Sequence, residues 1–515
     1  MTTPQPEQPN RKPPLDRDPE PPPRDAISAV QGRVLDPSTA LLVEGVVPRP
    51  TVYVGSRLNI SKSVDLGGAL EVLGQVAERL GWTVELDKED PRTARRRFGL
   101  RTVTIKLASD KAATAPDAWT LLQQTRAQFG VDAVVGVGLD HVLFSTPIES
   151  DPFHISHPFH ISHPAGGAPS APVSTYALPG TGGRQPVAYV GPRPARSSAV
   201  EGRRPVVAIL DTGCAQHPWL DAVVTKGVTL DDEKIGYDDP VTDPELHGDL
   251  VGELDGMIDP LSGHGTFIAG LVHQQCPDAD ILSWRVVPSE GPIVESDLVA
   301  ALSQIADLAM RHHLGQDGGR AIDVLSLSIG YYHETPKDLL FDATMFDILD
   351  DLSRHGTVVV CSAGNEATSR PSFPAAFAPW SDGAGPVPDD PTSLPVVSVG
   401  ALNPNLTTDA LFSNVGPWVR TFAPGAALVS TMPLFQGGLQ PMARTTAYAR
   451  VREAIDPDDY RGGFGVWSGT SFAGPVVAGR IAAGLLGRLD GDDAPAVAVA
   501  RGWNVVEQVT GIRPD

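Results

Sequence analysis

Four polar residues stand where an α/β sheet would present chemistry, at strand ends and helix starts. Asp211 follows the apolar run Val206–Leu210 and precedes the turn Thr212-Gly213. His264 lies between two glycines and opens the apolar stretch TFIAGLV. Asn365 follows VVVCSAG, and Ser471 follows Gly469-Thr470 at the start of a small-residue segment with Pro475 early in it. Each has a bland reading alone: a capping Asp, a structural His, a turn Asn and an N-cap Ser. Each also has a chemical one. Asn365 offers an amide N–H donor, and a Ser at the positive end of a helix dipole can be a nucleophile. Four such positions in one domain favour chemistry over four coincidences.

The elements that must hold them are legible. VVAIL (206–210), ADILSWRVV (279–287), DVLSLSIG (323–330), TVVVCSAG (357–364) and PVVSVGA (395–401) read as short, continuously apolar strands. Helical stretches at 295–313 and 341–356 lie between them. Such strands alternating with helices indicate a mostly parallel sheet covered on both faces, a three-layer αβα domain. The proline near Ser471 is tolerated in a first helical turn.

The chain here resembles the subtilisin-like serine proteases, the subtilases. The residues that carry the resemblance are AILDTGC around Asp211, HGTFIAG around His264, GTSFAGPVVAG around Ser471, SAGN ending on Asn365, LSIG (327–330) and FSNVGPWVRTFAPG (412–425). It covers roughly residues 200–490, in the order Asp, His, Asn, Ser. That order excludes the α/β-hydrolases, where Ser precedes the acid and sits in G-x-S-x-G.

The resemblance implies a subtilisin-like α/β fold and a serine endopeptidase. In it Ser471 attacks a peptide carbonyl, His264 moves the proton, and Asp211 orients His264. Asn365 and the Ser471 N–H hold the oxyanion. Ser328, Ile329 and Gly330, with Ser362, Ala363 and Gly364, line a cleft that takes the substrate as an added strand. Catalysis needs no cofactor, and the implied partner is a protein or peptide substrate. A catalytically silent scaffold that binds peptides is the alternative. Two positions depart from the family pattern: Phe267 replaces a common second His, and Cys214 a common aliphatic residue.

Four segments are expected along the chain. Residues 1–48 form a disordered Pro-rich lead, 49–146 a small α+β unit, 147–200 a flexible linker and 201–515 the peptidase domain. The small unit reads strand (51–60), helix (66–81), strand, strand, helix (115–130) and a closing strand or hairpin. This βαββαβ order is ferredoxin-like and similar to that of subtilase propeptides. The resemblance implies an intramolecular partner that chaperones or inhibits the peptidase, its trailing linker entering the cleft. The linker contains the repeat PFHISHPFHISHP, with His154, His157, His160 and His163. A metal site there competes with a duplicated flexible tether, because the prolines forbid a helix that would align the imidazoles. No metal ligands are assigned. Two segments look like insertions: 221–260 and 431–465. Residues 231–259 hold eleven Asp/Glu and one Lys. A solvated loop, a structural calcium site and an attractor of basic substrates are its three readings.

A chain of 515 residues needs more than one core. A formal charge of −22 argues against nucleic acid as a partner. Cys214, Cys276 and Cys361 are too few for a disulfide framework. Residues 1–24 contain nine prolines and no apolar core of a signal peptide, and the apolar 475–489 is broken by Arg480. A cytoplasmic location is the expectation, with a misplaced start codon after a lost signal as the competitor.

Overall fold

The computed structural model describes residues 16–43, 46–88, 94–108, 114–145, 173, 175–252, 254–335, 343–387, 390–489 and 494–514. The N-terminal unit starts earlier than the sequence suggests. Composition predicts a disordered lead, yet the lead contains a helix, Arg24–Ala29, and a strand, β1 (Gly32–Leu35). β1 pairs antiparallel with the first half of β2 (Thr51–Ser61), Gly32 opposite Val54 and Leu35 opposite Thr51, and Leu35 is buried. Pairing with a strand beyond the lead leaves no mark on the lead's own composition, so its proline content misleads. Residues 1–15 lie outside the described residues.

Next come the Leu66–Leu80 helix, β3 (Trp82–Leu86), β4 (Leu100–Leu107), the Ala118–Phe129 helix and β5 (Val137–Phe144). Asp65 starts the first helix by accepting from the Gly67 and Gly68 N–H groups. Asp117 starts the second by accepting from Thr120 N–H. The order is βαββαβ, and the antiparallel sheet runs β5-β2-β4-β3. The end of the unit is one strand, not a hairpin. Leu73, Val76 and Leu122 pack against Leu58, Ile60 and Val103 as its core.

The expected linker is described only in part. Its His repeat lies outside the described residues. From residue 175 the segment packs on the larger unit: β6 (Gln185–Pro186) joins a strand there. Arg184 Nη1 donates to Asp259 O at 2.7 Å, and its Nη2 to Ile258 O at 2.6 Å. Side-chain anchors of this kind need no periodicity, so composition makes this part look like a tether.

The larger unit is built on seven parallel strands. In chain order they are β7 (Val206–Asp211), β8 (Val224–Lys226), β9 (Asp280–Arg285), β11 (Val324–Leu327), β12 (Val358–Ser362), β13 (Val397–Leu402) and β14 (Thr421–Pro424), with β10 (Pro292–Val294) outside this sheet. Their spatial order is β14-β13-β12-β11-β7-β9-β8. Alternate residues of each strand face opposite layers. Val207 and Ile209 join the core under the His264–Gln275 and Thr470–Leu485 helices. Ala208 and Leu210 join the core under the Glu295–His313 and Thr344–Arg354 helices. Truncating a fully buried member such as Leu302 to Ala would cost about 2–5 kcal/mol.

The two units share a sheet. β10 of the larger unit pairs antiparallel with β5, Pro292 opposite Phe144 and Val294 opposite Val142. Beside this seam, His141 is buried between two carboxylates of the larger unit. Its Nδ1 is 2.6 Å from Glu295 Oε2 and its Nε2 is 2.7 Å from Glu334 Oε2. Burial alone would pull the imidazole down, but Glu334 and Glu295 outweigh it and push it up to about 10. Nearby, Ser296 N–H donates to Asp140 Oδ1 at 3.0 Å, and Arg97 grips Asp351 at 2.9 and 2.8 Å.

Candidate active site

Asp211 ends β7, and His264 is the first residue of its helix. His264 Nδ1–H donates to Asp211 Oδ1 at 2.7 Å, and both side chains are fully buried. The Thr212 N–H donates to the same Oδ1 at 2.8 Å. The helix start approaches the 211–213 turn so closely that a Cβ at Gly265 would lie 2.1 Å from Gly213 O. Only glycine permits that contact. The His264 ring packs 5.2 Å from Phe472 and 5.6 Å from Trp467. Phe267 fills the remaining space, 4.6 Å from Phe472 and 5.8 Å from Trp467.

Ser471 sits in the first turn of the Thr470–Leu485 helix and is 2% exposed. The turn is bolted to the sheet ends. Ser328 Oγ donates to Ser471 O at 3.0 Å, Ser362 Oγ donates to Thr470 O at 2.9 Å, and Gly364 N–H donates to Thr470 Oγ1 at 3.1 Å. Asn365 is part of the same corner. Its Oδ1 accepts from Thr470 N–H at 2.8 Å and Thr470 Oγ1 at 2.9 Å, which fixes which way the amide points. Its Nδ2 would lie 3.6 Å from a Cβ at Gly469, beside the turn that carries Ser471. The structure therefore brings Asp211 to His264 and Asn365 to the Ser471 turn. Among the described residues, His264 Nε2 has no hydrogen-bond partner and neither does Asp211 Oδ2.

A cavity of about 550 Å³ adjoins Ser471. Of the six residues assigned to a cleft, Ser328, Ile329, Gly330, Ser362 and Gly364 line it. Ala363 does not. Its N–H goes to Val399 O at 3.0 Å and its carbonyl accepts from Asn414 Nδ2 at 2.9 Å, so it serves the scaffold behind the cavity. At Gly364, φ is +101° and a Cβ would meet Asn414 Nδ2 at 2.3 Å, so this turn needs glycine.

The cleft edge is taken by the chain's own N-terminal part. Phe144 N–H donates to Gly330 O and Gly330 N–H to Phe144 O, each at 3.0 Å. Ser145 Oγ donates to Ser328 O at 3.3 Å. Pro21, Pro22 and Pro23 of the lead also line the cavity. The lead is tied down by Arg17, whose guanidinium donates to Glu366 O at 2.8 Å and whose carbonyl accepts from Thr368 Oγ1 at 2.6 Å. Arg370 Nη1 adds a bond to Asp18 Oδ1 at 3.1 Å.

One residue of the site has no signal in the sequence. Glu245, in the acidic insertion, is buried behind Asp211 and His264. It accepts from Thr212 Oγ1 at 2.5 Å, Gly265 N–H at 3.0 Å and Thr266 Oγ1 at 2.5 Å. Burial raises its carboxyl to about 7 against those hydrogen bonds, with Asp243 and Asp211 adding repulsion. The neighbouring carboxylates are dispersed. Asp259 accepts from Leu250 and Val251 N–H, Asp249 accepts from Gly256 N–H, and Asp231 pairs with Arg311. Among the described residues, the trio close enough to share a metal is His141, His333 and Glu334. It fits a metal poorly. Both His141 nitrogens already face carboxylates, and His333 Nδ1 accepts from Thr335 N–H at 2.9 Å. The three cysteines are buried thiols; burial pushes Cys214 up to about 12.

Comparison with known proteins identifies a family for the larger unit. The model of the subtilase family matches residues 202–491. An intracellular serine protease of Paenibacillus polymyxa is 26% identical over 304 residues, which cover 56% of this chain and 69% of that one. The major intracellular serine protease of Bacillus subtilis (strain 168) is 25% identical over 46% of this chain and 63% of its own length. The chain thus spans less than two thirds of that second relative. Among solved structures, fervidolysin from Fervidobacterium pennivorans, a keratinolytic enzyme related to subtilisin, matches over 87% of this chain and 56% of its own, at 18% identity and a TM-score of 0.45.

Proposed function

This chain belongs to the subtilase family, and from that premise we propose that it is a serine endopeptidase held in check by its own N-terminal unit. The observation that carries the first half is the buried 2.7 Å bond between His264 Nδ1 and Asp211 Oδ1, with Ser471 opening the adjoining helix. Ser471 Oγ attacks the peptide carbonyl while His264 Nε2 accepts its proton and later returns it to the leaving amine. Asp211 keeps the proton on Nδ1 and stabilises the imidazolium. The Ser471 N–H, one of the orphan donors of a first helical turn, and Asn365 Nδ2 receive the oxyanion. The substrate is an extended peptide that pairs with Ser328–Gly330 as an added strand. The roles rest on this chain's own residues and require no metal.

The second half rests on occupancy of that same edge. Phe144 and Ser145 already bond to Gly330 and Ser328, where a substrate strand would run. His141, Asp140 and Arg97 dock the unit, and the Pro21–Pro23 segment walls the cavity beside Ser471. The full chain is a self-inhibited protease whose outgoing strand mimics substrate. Among the described residues no helix is long and apolar enough to cross a membrane. By analogy with relatives named as intracellular proteases, the chain acts in the cytoplasm.

The test is labelling with a fluorophosphonate, which reacts with an activated serine. The full chain is labelled slowly at Ser471, Ser471→Ala is not labelled, and a variant with Phe144 unable to pair is labelled faster. Labelling of Ser471→Ala at the wild-type rate would remove the assignment of Ser471.

A further inference from the structure

Glu245 joins the two arms of the proposed catalytic pair. Oε1 accepts from the Thr212 hydroxyl, next in sequence to Asp211, and from Gly265 N–H, next to His264. Oε2 accepts from the Thr266 hydroxyl, whose own lone pair takes Ala215 N–H at 2.7 Å. The carboxylate therefore ties the 211–215 turn to the start of the His264 helix. It also substitutes for the missing side-chain cap, since the N-cap position is Gly263.

The Thr212 hydroxyl is the pivotal group. Its oxygen accepts from Gly265 N–H at 2.8 Å. Its single proton has two acceptors in reach: Glu245 Oε1 at 2.5 Å and Asp211 Oδ1 at 3.2 Å. It can serve only one of them fully. With Glu245 ionised, that proton goes to Glu245. With Glu245 protonated, the new O–H donates to Thr212 Oγ1, which still has a lone pair, and the threonine proton turns onto Asp211 Oδ1. Asp211 Oδ1 then carries an added donor beside Thr212 N–H and His264 Nδ1–H, and holds a positive imidazole less strongly.

We propose that Glu245 is a positioning residue for Asp211 and His264: when ionised, it draws the Thr212 hydroxyl away from Asp211 and so leaves the acid of the pair to His264. This role rests on the reading of Asp211 and His264 as catalytic. The groups facing Glu245 are Asp243 on its own loop, Asp211 at the end of β7, the buried Cys214 thiol and, beyond Asp211, the His264 ring. The Arg285 stem faces the same side of Gly213 as Glu245, 3.6 and 3.5 Å from where a Cβ would stand, but its guanidinium is directed to Asp239 O and Thr242 Oγ1. Burial is thus the main influence on Glu245, opposed by its two hydroxyl hydrogen bonds and aided by lesser repulsion from Asp243 and Asp211, and its carboxyl is raised to about 7. The relay therefore switches near neutral pH.

The test compares wild type, Glu245→Gln, Thr212→Val and Thr212→Ser in the full chain. The fluorophosphonate labelling rate of Ser471 is followed from acid to alkaline pH. The far-downfield proton resonance of the Asp211–His264 hydrogen bond is followed over the same range. Above neutrality, Glu245→Gln lowers the labelling rate about tenfold; adding Thr212→Val restores most of it, because no hydroxyl is left to donate to Asp211, whereas adding Thr212→Ser does not. A loss of packing would not give that order. The resonance shifts in wild type as Glu245 titrates and loses that step in Glu245→Gln. An unchanged rate profile and an unchanged resonance titration in Glu245→Gln would overturn the relay, as would a Glu245→Gln/Thr212→Val double variant no faster than Glu245→Gln alone. If Glu245→Gln does not fold, the resonance decides: Thr212→Val loses the step and Thr212→Ser keeps it. Failure of the protease reading is told apart, because it removes labelling of Ser471 in wild type while the resonance still reports on Glu245.

Discussion

Phe144 and Gly330 exchange both of their backbone hydrogen bonds, each 3.0 Å long, across the seam between the two units. On the proposed reading of Ser328–Gly330 as the substrate edge, a substrate strand displaces this pair. Phe144→Pro removes the N–H that Gly330 O accepts, together with the ring that packs on Val54, Val142 and Val294. The expected outcome is about a tenfold rise in the rate at which Ser471 is labelled, the equivalent of one or two lost hydrogen bonds. An unchanged rate would mean that the pair does not restrain the site.

Asn365 turns its oxygen to Thr470, which leaves its amide nitrogen as the group it can donate with. Replacing it with Ala removes the donor proposed for the oxyanion, while Gly364 and Ser362 keep their bonds to the turn. Turnover of a peptide substrate should fall about 10²- to 10³-fold with little change in KM, a range measured on the family's type member. Steady-state kinetics of Asn365→Ala on chain freed of inhibition decides it. A change confined to KM would assign Asn365 to binding.

Glu245 also makes a prediction about stability. Its folded value, about 7, is raised above the ordinary 4.5. The folded state therefore binds more protons than the unfolded one between these values. The stabilising contribution is complete below about 4.5 and is lost as pH rises through about 7. Glu245→Gln does not titrate, so wild type should lose about 3 kcal/mol relative to it across that window. Urea unfolding of both proteins at a series of pH values measures this. A flat difference would contradict the burial argument.

His141 reports on docking of the two units. Its folded value, about 10, is raised above 6.5, so its contribution is complete below about 6.5 and fades as pH rises through about 10. Removing it leaves Glu295 and Glu334 buried without their counter-charge. His141→Gln should destabilise the docked state by about 3–5 kcal/mol near neutral pH. Protection of the β5 amides in hydrogen exchange, compared between the two proteins at one pH, reads the loss directly.

The residues at the heart of the site are readable because each sits in a local run with a structural reason. Asp211 ends an apolar strand, His264 and Ser471 open helices behind glycines, and Asn365 follows a buried strand. The cleft strands are legible for the same reason. Glu245 is not, because eleven acidic residues in 231–259 look alike in sequence and only burial distinguishes this one. Ala363 departs from its expected place because adjacent residues of one turn face different sides. The lead from Arg17 to Leu35 owes its order to distant partners such as Thr368 and β2, which leave no mark on its own proline-rich composition.

Separation of the two units would change the state of β5. The strand lies between β2 and β10, so one of its edges is covered by the other unit alone. A detached N-terminal unit would present Val142, Leu143 and Phe144 as an open, apolar strand edge, ready to pair with another copy. On the proposed reading of the N-terminal unit as an inhibitor, the peptidase would lose it to self-association as well as to dilution. Activation by this route would run in one direction.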